Sequence, residues 1–313
     1  MRGVIVRRLA LLLPVLFVIL FAVFLLQTAL PGDPAAIIAG PEANKEIVEG
    51  VRVSLGLDKP IWEQFGTFMG DVLRGDFGIS YRSGRPVSDM IEGALPVTGS
   101  LALVTSVLTL LIGVPLGIVA ALKRGRLADR LVSGYSAVAI AVPPFVFGFV
   151  LVIVLALNAA WFPATGYKTL ADGPDQWLEH LVLPSLAFAL PLAAEIARQV
   201  RGSFAEILGR DFIRTARASG LSPISIVGKH AAKTAAIPVI TVFGLQAGRI
   251  LGGAVVVEQV FGLPGLGSLA YEAVSGRDLP LIRGVVIVSA IIVIVVNLAV
   301  DLCVAMLNPR LRA

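Results

Sequence analysis

Residues 211–232 read DFIRTARASGLSPISIVGKHAA, a basic polar island set between apolar runs long enough to cross a membrane. A bilayer core takes about 20 mostly apolar residues in helical form. Working outward from the island, residues 235–257 and 285–307 follow it, and residues 131–160, 94–122 and 9–30 precede it. The shorter run 181–197 adds a sixth candidate. Apolar residues make up 57% of the chain and charged ones 15%, and the mean hydropathy is +0.88, well above the balance of soluble domains. The pattern predicts an all-α polytopic membrane protein with six transmembrane helices. Arg2, Arg7 and Arg8 precede the first run, as in a signal peptide. That run is too long for a signal h-region and no small-x-small cleavage site follows, so it reads as a retained anchor.

Charge sets the expected orientation. The N-terminus carries three arginines, and the loop after the second span carries Lys123, Arg124, Arg126 and Arg130 against Asp129 alone. The island and its flanks add Arg198, Arg201, Arg210, Arg214, Arg217, Lys229 and Lys233, and the chain closes with Arg310 and Arg312. Residues 31–93, by contrast, hold ten acidic and six basic side chains, and 158–180 and 258–282 are also net acidic. By the positive-inside rule both termini and the island face the cytoplasm. The net charge of +5 is thus a signal of topology, and no nucleic-acid partner is implied. The expected organisation is an anchor helix over 1–30, a small extracytoplasmic subdomain over 31–93, and a core domain over 94–313. That core holds five spans and a cytoplasmic loop at 203–233. In the subdomain Ile61, Trp62, Phe65, Phe68, Val72 and Leu73 recur at helical spacing. This face either packs on the membrane domain or docks a soluble partner.

The residues exclude most enzyme chemistry. A P-loop needs GxxxxGK[ST] to hold phosphates on backbone amides, and none occurs, so the chain is not expected to bind a cofactor or hydrolyse ATP. No GxSxG turn is present, and the two histidines, His180 and His230, fall on opposite sides of the membrane by the charge rule. Cys303 is the one cysteine, and no metal-ligand spacing is found. Gly113-x3-Gly117 and Gly248-x3-Gly252 read as close helix packing. Gly262-Leu-Pro-Gly265-Leu-Gly267 reads as a turn. Pro143-Pro144, Pro184 and Pro191 lie inside apolar runs and are expected to break or kink helices. Ionisable groups in the runs, Arg249, Asp301 and Glu195, should face protein or water. Gln246 and Arg249 share a helix face, either lining a substrate pathway or making a structural bond across helices.

The island itself has local logic. Asp211 is expected to cap a short helix carrying Arg210, Arg214 and Arg217 near one face, with Gly220 as its terminator. Ser222-Pro223 then reads as the cap and first position of another helix. A solvated basic loop is the plainer reading. Against it stand Thr215, Ala216, Ala218, Ser219 and Gly220, small side chains that permit close docking into a partner's groove.

The same residues carry a resemblance. Thr215-Ala-Arg-Ala-Ser-Gly220-Leu, then Lys229-His230-Ala-Ala and Ile237-Pro238-Val239, resemble the cytoplasmic loop of permease subunits in bacterial ABC importers of the oligopeptide and dipeptide class. So, in order, do Leu30-Pro-Gly-Asp-Pro34, Arg74-Gly-Asp-Phe-Gly78, Ala120-Ala-Leu-Lys123, Val257-Glu-Gln-Val-Phe-Gly-Leu-Pro-Gly-Leu-Gly267, Arg277-Asp278, Pro280-Leu281, Asn297-x3-Asp301 and Asn308-Pro-Arg310. The resemblance covers essentially the whole chain. It implies a type I ABC importer permease in the bacterial inner membrane, working with a homologous second permease, two cytoplasmic ATPase subunits that bind ATP and Mg, and an extracytoplasmic binding protein. The contact with the ATPase would involve Asp211, Arg214, Thr215, Ala216, Arg217, Ala218, Ser219 and Gly220, with Lys229 and His230 in the subfamily's RHAL-like segment. In the general importer pattern EAA-x3-G, Gly220 takes the glycine position and Arg214 that of the glutamate. Lys229 stands where the segment has arginine and Ala232 where it has leucine. Arg249 stands where the family has a small or apolar residue, and Asn308 where its tail has aspartate. Peptides are the implied substrate. A nickel or glutathione importer of the same subfamily and a stand-alone secondary transporter are the alternatives.

Overall fold

A computed structural model describes residues 14–25, 34–40 and 42–307. The helices in chain order are α1 Pro14–Leu25, α2 Pro34–Ala39, α3 Lys45–Ser54, α4 Ile61–Leu73, α5 Val87–Leu122, α6 Leu127–Ala141 and α7 Pro144–Leu151. They continue with α8 Pro174–Leu208, α9 Asp211–Ala218, α10 Pro223–Ser225, α11 Ala232–Phe261, α12 Leu266–Ser275 and α13 Leu279–Leu307. A π-helical turn, Val152–Asn158, extends α7, and a second, Ile226–Ala231, joins α10 to α11. Among the described residues no strand forms, and Ile79 and Pro86 make an isolated antiparallel bridge.

The apolar runs map onto this order. Residues 94–122, 181–197 and 285–307 lie inside α5, α8 and α13, each long and apolar enough to cross a membrane. Residues 235–257 lie inside α11, and the described part of the first run is α1. The run 131–160 is broken: Leu127–Ala141 and Pro144–Asn158 meet at 104°. Pro143 accounts for the break, because its ring drives the preceding residue out of the helical region. Val142 accordingly sits at φ −93, ψ 127. Of the break or kink expected at Pro184 and Pro191, the break does not occur, since α8 runs through both. Neighbouring helices supply its carbonyls near Pro191 with donors: Tyr135 Oη to Leu190 O at 2.7 Å, Gln246 Nε2 to Leu192 O at 3.2 Å and Ser136 Oγ to Ala194 O at 3.3 Å. These bonds tie α8 to α6 and α11 beside the proline.

The described chain forms two compact units. One comprises Pro96–Gly267 and the chain from Val295, with α8 at its centre. Leu181, Leu183, Ala187, Phe188 and Leu192 of α8 pack with Leu101 of α5 and Ile250, Ala254 and Phe261 of α11. The expected glycine packing is present at α5: a Cβ on Gly113 would lie 2.7 Å from Ala193 O, and one on Gly117 2.5 Å from Val200 Cβ. At the α6 start Asp129 accepts Arg201 Nη2 at 3.0 Å, Arg201 Nε, and Gly125 N at 2.9 Å.

The second unit holds the chain up to Leu95 together with Ser268–Ile294. Here Phe65 and Phe68 of α4 pack with Leu20, Val23 and Phe24 of α1 and Ile287 of α13. Asp278 is 2% exposed and caps α13 by accepting Leu281 N at 3.4 Å. It also accepts Ser80 Oγ at 2.5 Å and Tyr81 N at 3.2 Å, which fixes the turn after the Ile79 bridge.

Candidate functional site

The polar island folds as two short helices meeting at a glycine. Arg210, extended at φ −75, ψ 151, is the N-cap of α9, and no side chain caps it. Asp211 therefore stands one residue inside the expected cap position. Its carboxylate lies in the first turn, where the helix dipole favours negative charge, and its Oδ1 lies 3.4 Å from Arg214 Nη1 instead of taking a backbone N–H. Arg217 sits in the last turn, where the dipole favours a cation.

Gly220 ends α9 as expected. It adopts φ +77, its N–H donates to Arg217 O at 3.0 Å, and Leu221 N donates to Ala216 O at 3.2 Å. These two bonds around a left-handed residue are the Schellman motif, which glycine adopts without a Cβ penalty. Ser222 then caps α10, its Oγ accepting Ser225 N at 3.3 Å, with Pro223 in the first helical position.

Two isoleucines anchor this corner. Ile213 is fully buried and Ile226 3% exposed, both packed with Phe204 and Ile207 of α8 and Ala235 and Val239 of α11. Ala216 is half-buried, while Arg214, Thr215, Arg217, Ala218, Ser219 and Gly220 are exposed. A Cβ at Gly220 would meet nothing within 4 Å. The result is a ridge of small side chains, flanked by guanidinium groups and held from beneath. The expected arginine face is partly occupied locally, since Arg210 Nη2 pairs with Glu206 Oε1 at 2.6 Å. Lys229 is exposed in the π-helical turn; the side chain of His230 lies outside the described residues.

The polar pair within the spans gains a third member. Arg249 Nη1 lies 2.9 and 3.0 Å from the two carboxylate oxygens of Glu195 on α8, and Gln246 Nε2 donates to Glu195 Oε2 at 3.2 Å. Gln246 is buried, whereas the Arg249 side chain is 64% exposed. No group of three His, Cys, Asp or Glu side chains among the described residues is placed to hold a metal.

Residues 113–313 match the family model described as "Binding-protein-dependent transport system inner membrane component", and residues 1–102 match the model of the N-terminal part of such membrane components. The chain belongs to this family. It is an ABC importer permease subunit, and curated relatives align along nearly its whole length. The permease is 39% identical over 308 residues to the "Probable peptide ABC transporter permease protein y4tP" of Sinorhizobium fredii (strain NBRC 101917 / NGR234), covering 98% of each chain. It is 41% identical over 312 residues to the "Glutathione transport system permease protein GsiC" of Escherichia coli (strain K12), covering 100% of this chain and 99% of that one. Among solved structures, a chain of the MetNI methionine ABC transporter, crystallised facing inward, aligns with 70% of the permease and 96% of its own length, at a TM-score of 0.59 and 19% identity. That likeness shows a shared fold.

The geometry of the permease also reveals polar residues that periodicity did not single out. Glu258 of α11 is fully buried and accepts Thr98 Oγ1 at 2.7 Å, while the same hydroxyl accepts Leu266 N at 2.8 Å. Leu263 N donates to the Glu258 carbonyl at 2.8 Å, so the Gly262–Gly267 turn folds back over its own helix. Gly265 leaves no room for a Cβ against the Glu258 carboxylate, and a Cβ on Gly267 would lie 2.6 Å from Val255 N. The sequence signal was the glycine spacing after Glu258, which a buried carboxylate under a close backbone requires.

Proposed function

We propose that the permease moves peptides across the cytoplasmic membrane by alternating access, driven by ATP hydrolysed on two separate cytoplasmic subunits that bind the nucleotide with Mg. A homologous second permease completes the membrane pathway, and an extracytoplasmic binding protein delivers the substrate. The observation that carries this reading is the α9–Gly220 corner. Its small residues are exposed while Ile213 and Ile226 fix it to α8 and α11, so a push on the corner reaches the bundle through packed side chains. The coupling surface comprises Asp211, Arg214, Thr215, Ala216, Arg217, Ala218, Ser219, Gly220, Lys229 and His230, within the loop 203–233. The basic residues of this loop and of both ends support a cytoplasmic placement for all three.

Gln246 and Arg249 line the pathway, with Glu195 holding the guanidinium in place. Ionised groups within spans are costly and mark pathways or their supports. Glutathione, itself a short peptide, is the second reading, favoured by the 41% identity to glutathione permeases. The test is uptake into proteoliposomes holding the permease, its homologous partner and the ATPases, with binding protein and labelled substrate outside. ATP-dependent accumulation is expected, and the preferred substrate separates peptides at large from glutathione. Equal uptake by the permease alone, without any ATPase, would establish a secondary transporter instead.

A further inference from the structure

The helix α4 presents three faces. On the first, the Phe65 ring lies 5.8, 5.5 and 5.2 Å from the rings of Phe17, Phe21 and Phe24 on α1, and Phe68 joins the same cluster. On the second, Gln64, Thr67 and Asp71 line a cavity of about 350 Å³ shared with the end of α3. The third face carries Trp62, Gly66 and Leu73, with Met69 half-buried at its edge; Trp62 is 72% and Leu73 82% exposed.

The aromatic cluster sets the depth of this helix. Phe17, Phe21 and Phe24 belong to the central part of the apolar run 9–30, which is long and apolar enough to cross a membrane. A helix packed against those three rings lies alongside acyl chains. Val15, Phe17, Val18 and Phe21 of α1 are exposed, and Phe17 and Phe21 contact Phe65, which lies beside the Trp62 and Met69 positions on the helical wheel of α4. Opposite that face the helix turns polar groups to a cavity, the amphipathic pattern of helices lying in a membrane interface. Tryptophan favours that interface.

We infer that α4 is a membrane-embedded interfacial helix whose Trp62, Gly66, Met69 and Leu73 face contacts lipid acyl chains. This face is then not a landing site for a soluble partner. It rests on the membrane passage of α1 and is independent of the substrate. The test uses the assembled transporter in lipid nanodiscs, with Cys303→Ser and a nitroxide attached at Trp62→Cys or Leu73→Cys, and Val18→Cys as the reference on α1. Collision with molecular oxygen is expected to exceed collision with a water-soluble nickel chelate by several-fold at all three positions. Dominant nickel collisions at 62 and 73 would place the face in water. Low collision rates with both reagents would mean protein covers it, and either result overturns the inference. Intrinsic fluorescence leaves the face intact: in purified full-length permease with Trp161→Phe and Trp177→Phe, brominated phosphatidylcholine should quench Trp62 at least twofold, and absence of quenching counts against lipid contact.

Discussion

Replacing Gly220 separates backbone strain from docking. Any L-residue at φ +77 bears a cost of about 1–2 kcal/mol in the left-handed region, a factor of roughly 5 to 30 in the local equilibrium between capped and frayed α9 ends. Gly220→Ala and Gly220→Trp share that cost; a Cβ there meets nothing within 4 Å, so alanine creates no clash inside the permease, and tryptophan starts from the same exposed position. Both should insert in the membrane alike. Only tryptophan places a large ring on the small-residue ridge, where forcing bulk into a packed contact costs about 1–3 kcal/mol, roughly 5- to 150-fold in an equilibrium constant. Proteoliposomes reporting uptake and ATP hydrolysis together should show Gly220→Ala transporting at a reduced but measurable rate. Gly220→Trp should lose transport per ATP hydrolysed by at least a further fivefold. Equal transport in the two variants would refute docking at Gly220.

Gly117→Leu should disrupt the α5–α8 contact, because its first added atom already meets Val200 at 2.5 Å; the expected penalty is about 1–3 kcal/mol, read as a lower melting temperature in detergent. An unchanged melt would contradict the close approach. Arg201→Ala leaves the Asp129 carboxylate with its Gly125 contact but without its guanidinium, so it should lower thermal stability more than Arg201→Ala combined with Asp129→Ala; a double variant that is simply additive argues against the pair. Asp172 is held below the usual carboxylate range by the Thr169 backbone N–H and then by its hydroxyl, at 2.8 and 2.9 Å. Because the folded value is depressed, this cap contributes fully above the unfolded value and is lost as pH falls through the lower folded one. Hydrogen exchange of the Leu170–Asp172 turn should therefore stay slow at pH 6 and 5 and accelerate, relative to intrinsic rates, only in stronger acid; equal acceleration in a Thr169→Ala variant and the parent would remove the cap from the explanation.

The spans were legible because hydropathy needs no partner to be read, and Gly220 and Ser222-Pro223 were legible because caps depend on residues adjacent in sequence. The start of α9 shifted by one residue: Asp, favoured at the N-cap, is also favoured in the first turn, and Arg214 three residues on gives its carboxylate a local partner. Sequence alone gave Arg249 a neighbour, Gln246, one turn away, yet not Glu195, which tertiary packing brings from 54 residues earlier in the chain. The Asp129–Arg201 and Thr98–Glu258 contacts, 72 and 160 residues apart, were hidden for the same reason. Proline was read too uniformly. Pro143 breaks its span because Val142 turns extended, whereas α8, buried in the core of its unit, runs on through Pro184 and Pro191.

The central claim is that an ATPase grips the α9–Gly220 corner. Its most direct measurement places the permease's one cysteine there, as Ala218→Cys with Cys303→Ser, in the complete transporter. A short bifunctional thiol reagent should link position 218 to an engineered cysteine in the ATPase cleft, and the assembled ATPase should shield it from a water-soluble maleimide. Full maleimide labelling in the assembled transporter, with no cross-link to the ATPase, would contradict the account.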